Sequence, residues 1–124
     1  MLTLSSTVKT YPKLPYEAMA ASVLGTRYEV SLTFVGADRA RTLNQTHRGK
    51  DYVPNVLSFP LTKDAGEVYI APSVAIAEAS KFGMTERGYI GYLFIHGLLH
   101  LKGLDHGTKM DTLEKKYRAE FKLK

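Results

Sequence analysis

The chain has 124 residues, 44% of them hydrophobic, a size and composition typical of one globular domain and not of a disordered segment. Its lack of cysteine excludes disulfides and thiolate metal sites. The 17 Lys and Arg residues outnumber 12 acidic residues, and the net charge of +5 favours a polyanionic partner such as nucleic acid, although such a charge also serves solubility alone. No apolar run approaches the roughly 20 residues that cross a bilayer, and residues 1–10 do not resemble a signal peptide, so we expect a cytoplasmic protein without membrane contact.

The first predicted element is a helix over Lys13–Leu24, with Gly25 just past its end as a helix-ending residue. Apolar and polar residues then alternate over Tyr28–Val35, which is the period of a half-buried strand. A short helix is predicted over Asp38–His47, and we expect Gly49 to end it.

Two short strands are predicted in the middle of the chain. The first, Asn55–Phe59, has Pro54 and Pro60 on either side, which indicates an edge strand or a short strand because proline cannot donate to the ladder. The second is Glu67–Ile70, and the polar segment Lys63–Gly66 between them suits a hairpin loop.

The last third of the chain is predicted to be helical. A helix is expected over Pro72–Phe82, and a longer one over Glu86–Lys102 with Thr85 as its N-cap. Thr108 is the candidate cap of a last helix over Lys109–Phe121.

The order of these elements, helix, then strands, then mostly helices, indicates an α+β fold. We expect a single domain over residues 1–124, with a small mixed β-sheet of about four strands packed with helices. The helix predicted over Glu86–Lys102, in the C-terminal half, carries the residues with the clearest chemical pattern.

Three of the four histidines of the chain, His96, His100 and His106, fall within eleven residues. The first two are four residues apart on a predicted helix, so both rings leave the same face and could reach one ion at about 2.0–2.1 Å. Gly103 can take the left-handed conformation that ends a helix, and the chain can then turn to bring the third histidine to the same ion. The alternative, ordinary histidines on an amphipathic helix, explains this spacing less well.

Three protein nitrogens leave one metal position open, which is the mark of a catalytic site. An all-nitrogen tetrahedral set favours one Zn²⁺ per chain, although nickel, copper or cobalt can also bind such donors. Asp105 is a candidate to accept a hydrogen bond from an imidazole, or else a turn residue. Gly97 stands where zinc proteases of this histidine spacing carry a glutamate base, so peptide hydrolysis by that mechanism is not expected.

The string H-G-L-L-H-L-K-G-L-D-H at residues 96–106 resembles the signature of the YbeY family of bacterial rRNA-maturation endoribonucleases. A second segment, L-N-Q-T-H-R-G-K-D at residues 43–51 followed by N-V-L-S-F-P at residues 55–60, is similar to another pattern of this family. Two separated motifs in the same order make the resemblance specific, and it extends over about Tyr28–Met110. The chain departs from the family pattern at His47, Pro54 and Glu67.

The resemblance implies a zinc-dependent, single-strand-specific endoribonuclease that acts in 16S rRNA 3′-end maturation, ribosome maturation and rRNA quality control. RNA, the small ribosomal subunit and ribosome assembly factors are the implied partners, and the oligomeric state stays open. The zinc ligands of the family carry over to the three histidines, and its functionally important arginine carries over to Arg48. Ser58 and Phe59 are candidates to contact the RNA, Phe59 by stacking a base, although phenylalanine more often lies in a core.

The residues leave the nucleophile open between a water activated by the ion and the 2′-hydroxyl of the RNA itself. They also leave two other functions open. One is a zinc-stabilised, rRNA-binding assembly factor with little intrinsic cleavage, and the other is a zinc peptidase.

Overall fold

The computed structural model describes residues 1–124 and contains a four-stranded sheet and five α-helices. In chain order the elements are β1 Leu2–Ser6, α1 Tyr16–Leu24, β2 Glu29–Phe34, α2 Ala37–Arg48, β3 Val56–Thr62, β4 Ala65–Ile70, α3 Pro72–Ala79, α4 Glu86–Leu101 and α5 Thr108–Glu120. The predicted α+β fold is confirmed, with the histidine motif in the C-terminal half. None of the helices is long and apolar enough to span a membrane.

The sheet is mixed, with its strands in the order β1-β2-β4-β3. β1 pairs with β2 in parallel and β2 pairs with β4 in parallel, whereas β3 and β4 are antiparallel. β1 was missing from the predicted elements. Four of its five side chains are exposed, so the strand carries no alternating apolar pattern and is held by main-chain pairing, with Leu2 opposite Val30.

β3 is an edge strand, as its flanking prolines indicated. It extends to Thr62, beyond the predicted end at Phe59, because an edge strand tolerates Pro60 within it. The pairing register shifts between Pro60 and Thr62, which leaves Leu61 as an extra residue of a bulge. A turn at residues 63–64, inside the predicted hairpin loop, connects the strand to β4.

One face of the sheet carries the main hydrophobic core. The side chains of Leu32, Phe34, Val68 and Ile70 are fully buried there, and α1, α3, α4 and α5 add buried side chains to the same cluster. α4 is the central helix, since eleven of its sixteen residues are buried. Burial of a large apolar side chain contributes about 1.5–3 kcal/mol, so His96 and His100 lie on a helix that is firmly held by the core.

The ends of the helices follow local rules, with one exception. α1 begins at Tyr16, later than predicted, because Pro15 disfavours helical backbone at the residue before it. The predicted N-cap of α4 is confirmed, since Thr85 Oγ1 accepts a hydrogen bond from the backbone N–H of Gly88 at 3.0 Å. The prediction that Thr108 caps α5 is wrong: it is the first helical residue, and a glycine occupies the cap position.

Gly97 allows α4 to lie close to the sheet. A Cβ at this position would lie 3.1 Å from Val68 Cγ1 and 3.5 Å from Val56 Cγ2. We expect Gly97→Val to lower the free energy of unfolding by about 1–3 kcal/mol through overpacking, as measured by urea denaturation. Ala119→Val, at an exposed position of α5, should cost only the difference in helix propensity, about 0.5 kcal/mol. Equal losses in the two variants would contradict the close packing at Gly97.

Candidate metal centre

Two imidazole nitrogens face each other on one side of α4. His96 Nε2 and His100 Nε2 lie 3.1 Å apart, and the planes of the two rings are at 85° to each other. In a tetrahedral zinc site with ligand bonds of about 2.0–2.1 Å, neighbouring nitrogens are about 3.3 Å apart. The pair therefore has the spacing that a shared ion requires.

The loop after α4 brings the third histidine to this pair. Gly103 has a φ of +100°, the left-handed conformation expected from the sequence, and it turns the chain at the end of the helix. The ring centroid of His106 lies 5.1 Å from that of His96 and 4.9 Å from that of His100. Each of the three histidines offers one ring nitrogen to the same space, and these three nitrogens lie within 4.8 Å of one another.

The Nδ1 atoms of the two helical histidines already have hydrogen-bond partners. His100 Nδ1 lies 2.9 Å from the carbonyl oxygen of Leu104, and His96 Nδ1 lies 2.6 Å from Glu114 Oε2. A carbonyl or an ionised carboxylate can only accept, so both Nδ1 atoms carry the proton. Both Nε2 atoms then present lone pairs to each other at 3.1 Å, an arrangement that a shared proton or a shared metal ion satisfies.

The environment of His100 favours the form that binds a metal. Burial lowers the pKa of His100 below its usual value, and the neighbouring His96 adds to the effect. A lowered pKa keeps the imidazole neutral at neutral pH. Three neutral imidazoles suit Zn²⁺ and similar transition metals, whereas Mg²⁺ and Ca²⁺ prefer oxygen ligands.

The histidines form one wall of a groove of about 370 Å³, a size within the range of small-ligand sites. The other walls come from the end of α2, the loop that follows it and β3. The lining residues are Arg48, Tyr52, Asn55, Val56, Leu57, Ser58, His96, Gly97, His100 and His106. The two separate sequence motifs therefore meet in one groove, and no Asp or Glu lines it.

Arg48 is the last residue of α2 and is held in place by a buried amide. Its Nη1 donates to Asn44 Oδ1 at 3.1 Å and to the hydroxyl of Tyr52 at 3.4 Å. Asn44 is fully buried, and its Nδ2 donates to the carbonyl oxygen of Tyr52 at 3.1 Å. The Nε and Nη2 atoms of Arg48 make no hydrogen bond in the structure, so they are free to donate to an anion.

The other three predicted site residues lie in different places relative to the groove and the imidazoles. Ser58 lines the groove. Phe59 does not, because successive residues of a strand face opposite sides, and its ring packs 5.0 Å from that of His47 and 6.0 Å from that of Tyr69. Asp105 is exposed and makes no hydrogen bond to an imidazole.

Three residues at the site were not singled out from the sequence. Glu114 supplies the carboxylate that contacts an imidazole, and its place between the buried Met110 and Tyr117 of α5 was a usable signal, since these positions share one helix face. Asn44 belongs to the motif at residues 43–51, but nothing in that motif indicates its hydrogen bond with Arg48. Tyr52 is the aromatic ring of the groove, with half its surface exposed (50%), and no local pattern identifies it.

Comparison with known proteins gives consistent results over nearly the whole chain. The family model of Endoribonuclease YbeY matches residues 4–122. Endoribonuclease YbeY of Alkaliphilus metalliredigens (strain QYMF) is 37% identical over 107 residues, covering 77% of this chain and 69% of that protein. Endoribonuclease YbeY of Geobacillus kaustophilus (strain HTA426) is 34% identical over 117 residues, covering 82% of this chain and 75% of that protein.

The fold is also similar to a solved structure, the solution structure of TM1509 from Thermotoga maritima. The TM-score is 0.67 at 29% identity, and the match covers 94% of this chain and 86% of that chain. The family match includes both α2, with Arg48, and the histidine motif, so it spans all walls of the groove. The chain is a member of the endoribonuclease YbeY family.

Proposed function

We propose that this protein is a zinc-dependent endoribonuclease that cleaves single-stranded RNA in the cytoplasm. The observation that carries the proposal is that the three histidines and Arg48 line one groove, in a chain that belongs to a family of RNA-cleaving hydrolases. The proposed substrate is ribosomal RNA, including the 3′ end of 16S rRNA, with the small ribosomal subunit and its assembly factors as partners. The net charge of +5 suits a polyanionic substrate.

Arg48 binds the phosphate in this mechanism. Its free Nε and Nη2 can donate two parallel, charge-assisted hydrogen bonds to phosphoryl oxygens. The bond from Nη1 to the buried Asn44 orients the guanidinium before substrate arrives. A preoriented donor stabilises developing negative charge without reorganisation during the reaction.

His96, His100 and His106 would hold the ion in the groove that Arg48 also lines. When bound, the ion would supply Lewis-acid chemistry, polarising a phosphoryl oxygen and acidifying a water. The chain contributes no carboxylate to the groove lining, so a groove carboxylate is not the base that accepts the proton of the nucleophile. Either a water or the 2′-hydroxyl of the substrate can attack in this arrangement, and the two differ in their products.

The groove wall offers a reason for a preference for single strands. The exposed ring of Tyr52 can stack on the face of a base, and this face is available only when the base has left a duplex stack. Ser58 also lines the groove, and its hydroxyl can donate to or accept from a ribose or phosphate. Tyr52 takes the stacking role that the sequence had suggested for Phe59.

Peptide hydrolysis has no support from the same groove. Gly97 occupies the position of the glutamate base of zinc proteases, and it is buried against Val56 and Val68. The Cβ of a glutamate there would lie 3.1 Å from Val68 Cγ1, so the valine or the helix would have to shift to admit it. No other acidic residue lines the groove to replace it.

The test compares three substrates of one sequence: a single-stranded RNA that carries the 3′ end of 16S rRNA with its precursor extension, the same RNA as a duplex, and the matching DNA strand. We expect the zinc-loaded protein to cleave only the first. Products that end in a 2′,3′-cyclic phosphate would assign the attack to the 2′-hydroxyl, and a linear phosphate would assign it to water. Tight RNA binding without cleavage would overturn the nuclease proposal in favour of an assembly factor.

A further inference from the structure

Glu114 is a buried carboxylate on the last helix of the fold. Only 7% of its surface is exposed, and it is the one Asp, Glu, Lys or Arg residue of the chain that is buried. It lies in α5 between Met110 and Tyr117, both buried against the apolar core. Burial of a carboxylate is costly unless it is paired and hydrogen-bonded, so its partner explains why it is there.

The hydrogen-bond partner of Glu114 with the shortest contact is His96, and the carboxylate also lies close enough to Tyr92 to add to the effect of burial in raising the pKa of its hydroxyl. Glu114 Oε2 accepts a hydrogen bond from His96 Nδ1 at 2.6 Å, and Glu114 forms no ion pair with any Lys or Arg. Arg118, one turn further along α5, places its guanidinium over the ring of Tyr92, 5.8 Å from the centroid. The carboxylate is therefore not part of a surface salt bridge, and its one ion-pair partner is the imidazole of His96.

We propose that Glu114 is a positioning residue that holds His96 as a metal ligand and couples occupancy of the site to the docking of α5. This inference rests on the proposed function, since it takes the three histidines to hold an ion. Three neutral imidazoles leave the double positive charge of a zinc ion uncompensated. A carboxylate one imidazole away offsets part of that charge and makes the histidine a stronger ligand.

The coupling to α5 follows from the connectivity. His96 and His100 are on α4 and His106 is in the loop that follows, so all three ligands precede α5. Glu114 of α5 accepts a hydrogen bond from one of these ligands. Without a bound ion, no positive charge on the far side of the His96 imidazole offsets the buried carboxylate of Glu114. We expect α5 to be held less firmly in the metal-free protein for this reason.

The first test measures zinc affinity by competition with a chelator, with no RNA present. We expect Glu114→Ala to weaken zinc binding by about 10- to 100-fold, the usual effect of losing such a hydrogen bond. Glu114→Gln keeps an acceptor but not the charge, so it should lose less. The matched control is Glu120→Gln, the same change on the same helix at an exposed residue that bonds Ser22, and it should bind zinc as the wild type does.

The second test separates positioning from packing. Cobalt substituted for zinc gives a visible spectrum that reports ligand geometry, and we expect Glu114→Gln to shift it. Amide hydrogen exchange should show that zinc protects α5 in the wild type and protects it less in the Glu114 variants. A role in packing alone would lower the stability of the metal-free protein but leave the spectrum and the zinc affinity unchanged.

Zinc binding by the wild type and by the Glu114 variants distinguishes a wrong role for Glu114 from a wrong metal site. If the folded Glu114 variants bind zinc within twofold of the wild type, with the wild-type cobalt spectrum, Glu114 is not a positioning residue even though the site holds an ion. If the wild type itself binds no zinc, the three-histidine site is wrong, and this inference falls with it.

Discussion

His100→Ala is expected to abolish metal-dependent RNA cleavage while the protein stays folded. The variant removes one of three ligands and leaves His96 Nε2 without the partner that lies 3.1 Å away. A bound ion supplies several kcal/mol of transition-state stabilisation, and each 1.36 kcal/mol is a tenfold change in rate. We therefore expect kcat/KM to fall by about a thousandfold and the zinc content to fall well below that of the wild type. Elemental analysis and cleavage of a labelled single-stranded RNA measure the two effects.

The chain supplies a matched control in its fourth histidine. His47 packs against the ring of Phe59, with centroids 5.0 Å apart, and it does not line the groove. His47→Ala should keep both the zinc and the cleavage activity. Circular dichroism of both variants checks that the secondary structure is intact. Equal activity in folded His100→Ala and His47→Ala would contradict the assignment of His100 as a ligand.

Arg48→Ala is expected to lose cleavage while it keeps its zinc. The guanidinium lies at the end of α2, apart from the histidines, so its removal leaves the three ligands in place. Loss of one preorganised donor to developing charge costs about 100- to 1000-fold in kcat. Steady-state kinetics on a single-stranded RNA, with the zinc content measured in the same sample, tests this. A change in KM alone would mean that Arg48 only attracts the substrate.

Two further variants identify the cause of the loss in Arg48→Ala. Arg27→Ala removes an equal charge from an exposed loop outside the groove, and it should have near-normal kcat. Asn44→Ala leaves the arginine but removes the amide that orients it, so its kcat should lie between those of the wild type and Arg48→Ala. If Arg27→Ala were as slow as Arg48→Ala, general electrostatics would explain the effect better than a phosphate contact.

Much of the metal centre was predictable because its geometry is local. His96 and His100 share a helix face through their spacing alone, and Gly103 marks the turn by its freedom to take a positive φ. Both features depend on residues within one or two turns of each other. The apolar alternation of β2 and the N-cap Thr85 were predictable for the same reason.

The parts that were not predicted depend on contacts between distant segments. β1 has almost no buried side chains, so only its pairing with β2 defines it. Glu114 reaches His96 because α5 packs against α4, and nothing within the histidine motif indicates this contact. Phe59 was assigned to the groove without knowledge of which face of β3 meets α4, and the alternation of the strand places it on the other side.

The measurement that tests the central claim most directly is the dependence of RNA cleavage on the metal. Zinc is removed from the purified wild-type protein with a chelator, the folded apo protein is titrated with Zn²⁺, and cleavage of a single-stranded RNA is followed at each step. We predict no cleavage in the apo protein and full recovery at one zinc per chain. Cleavage that persists in the fully metal-free protein, or a folded protein that binds no zinc, would contradict a catalytic ion at His96, His100 and His106.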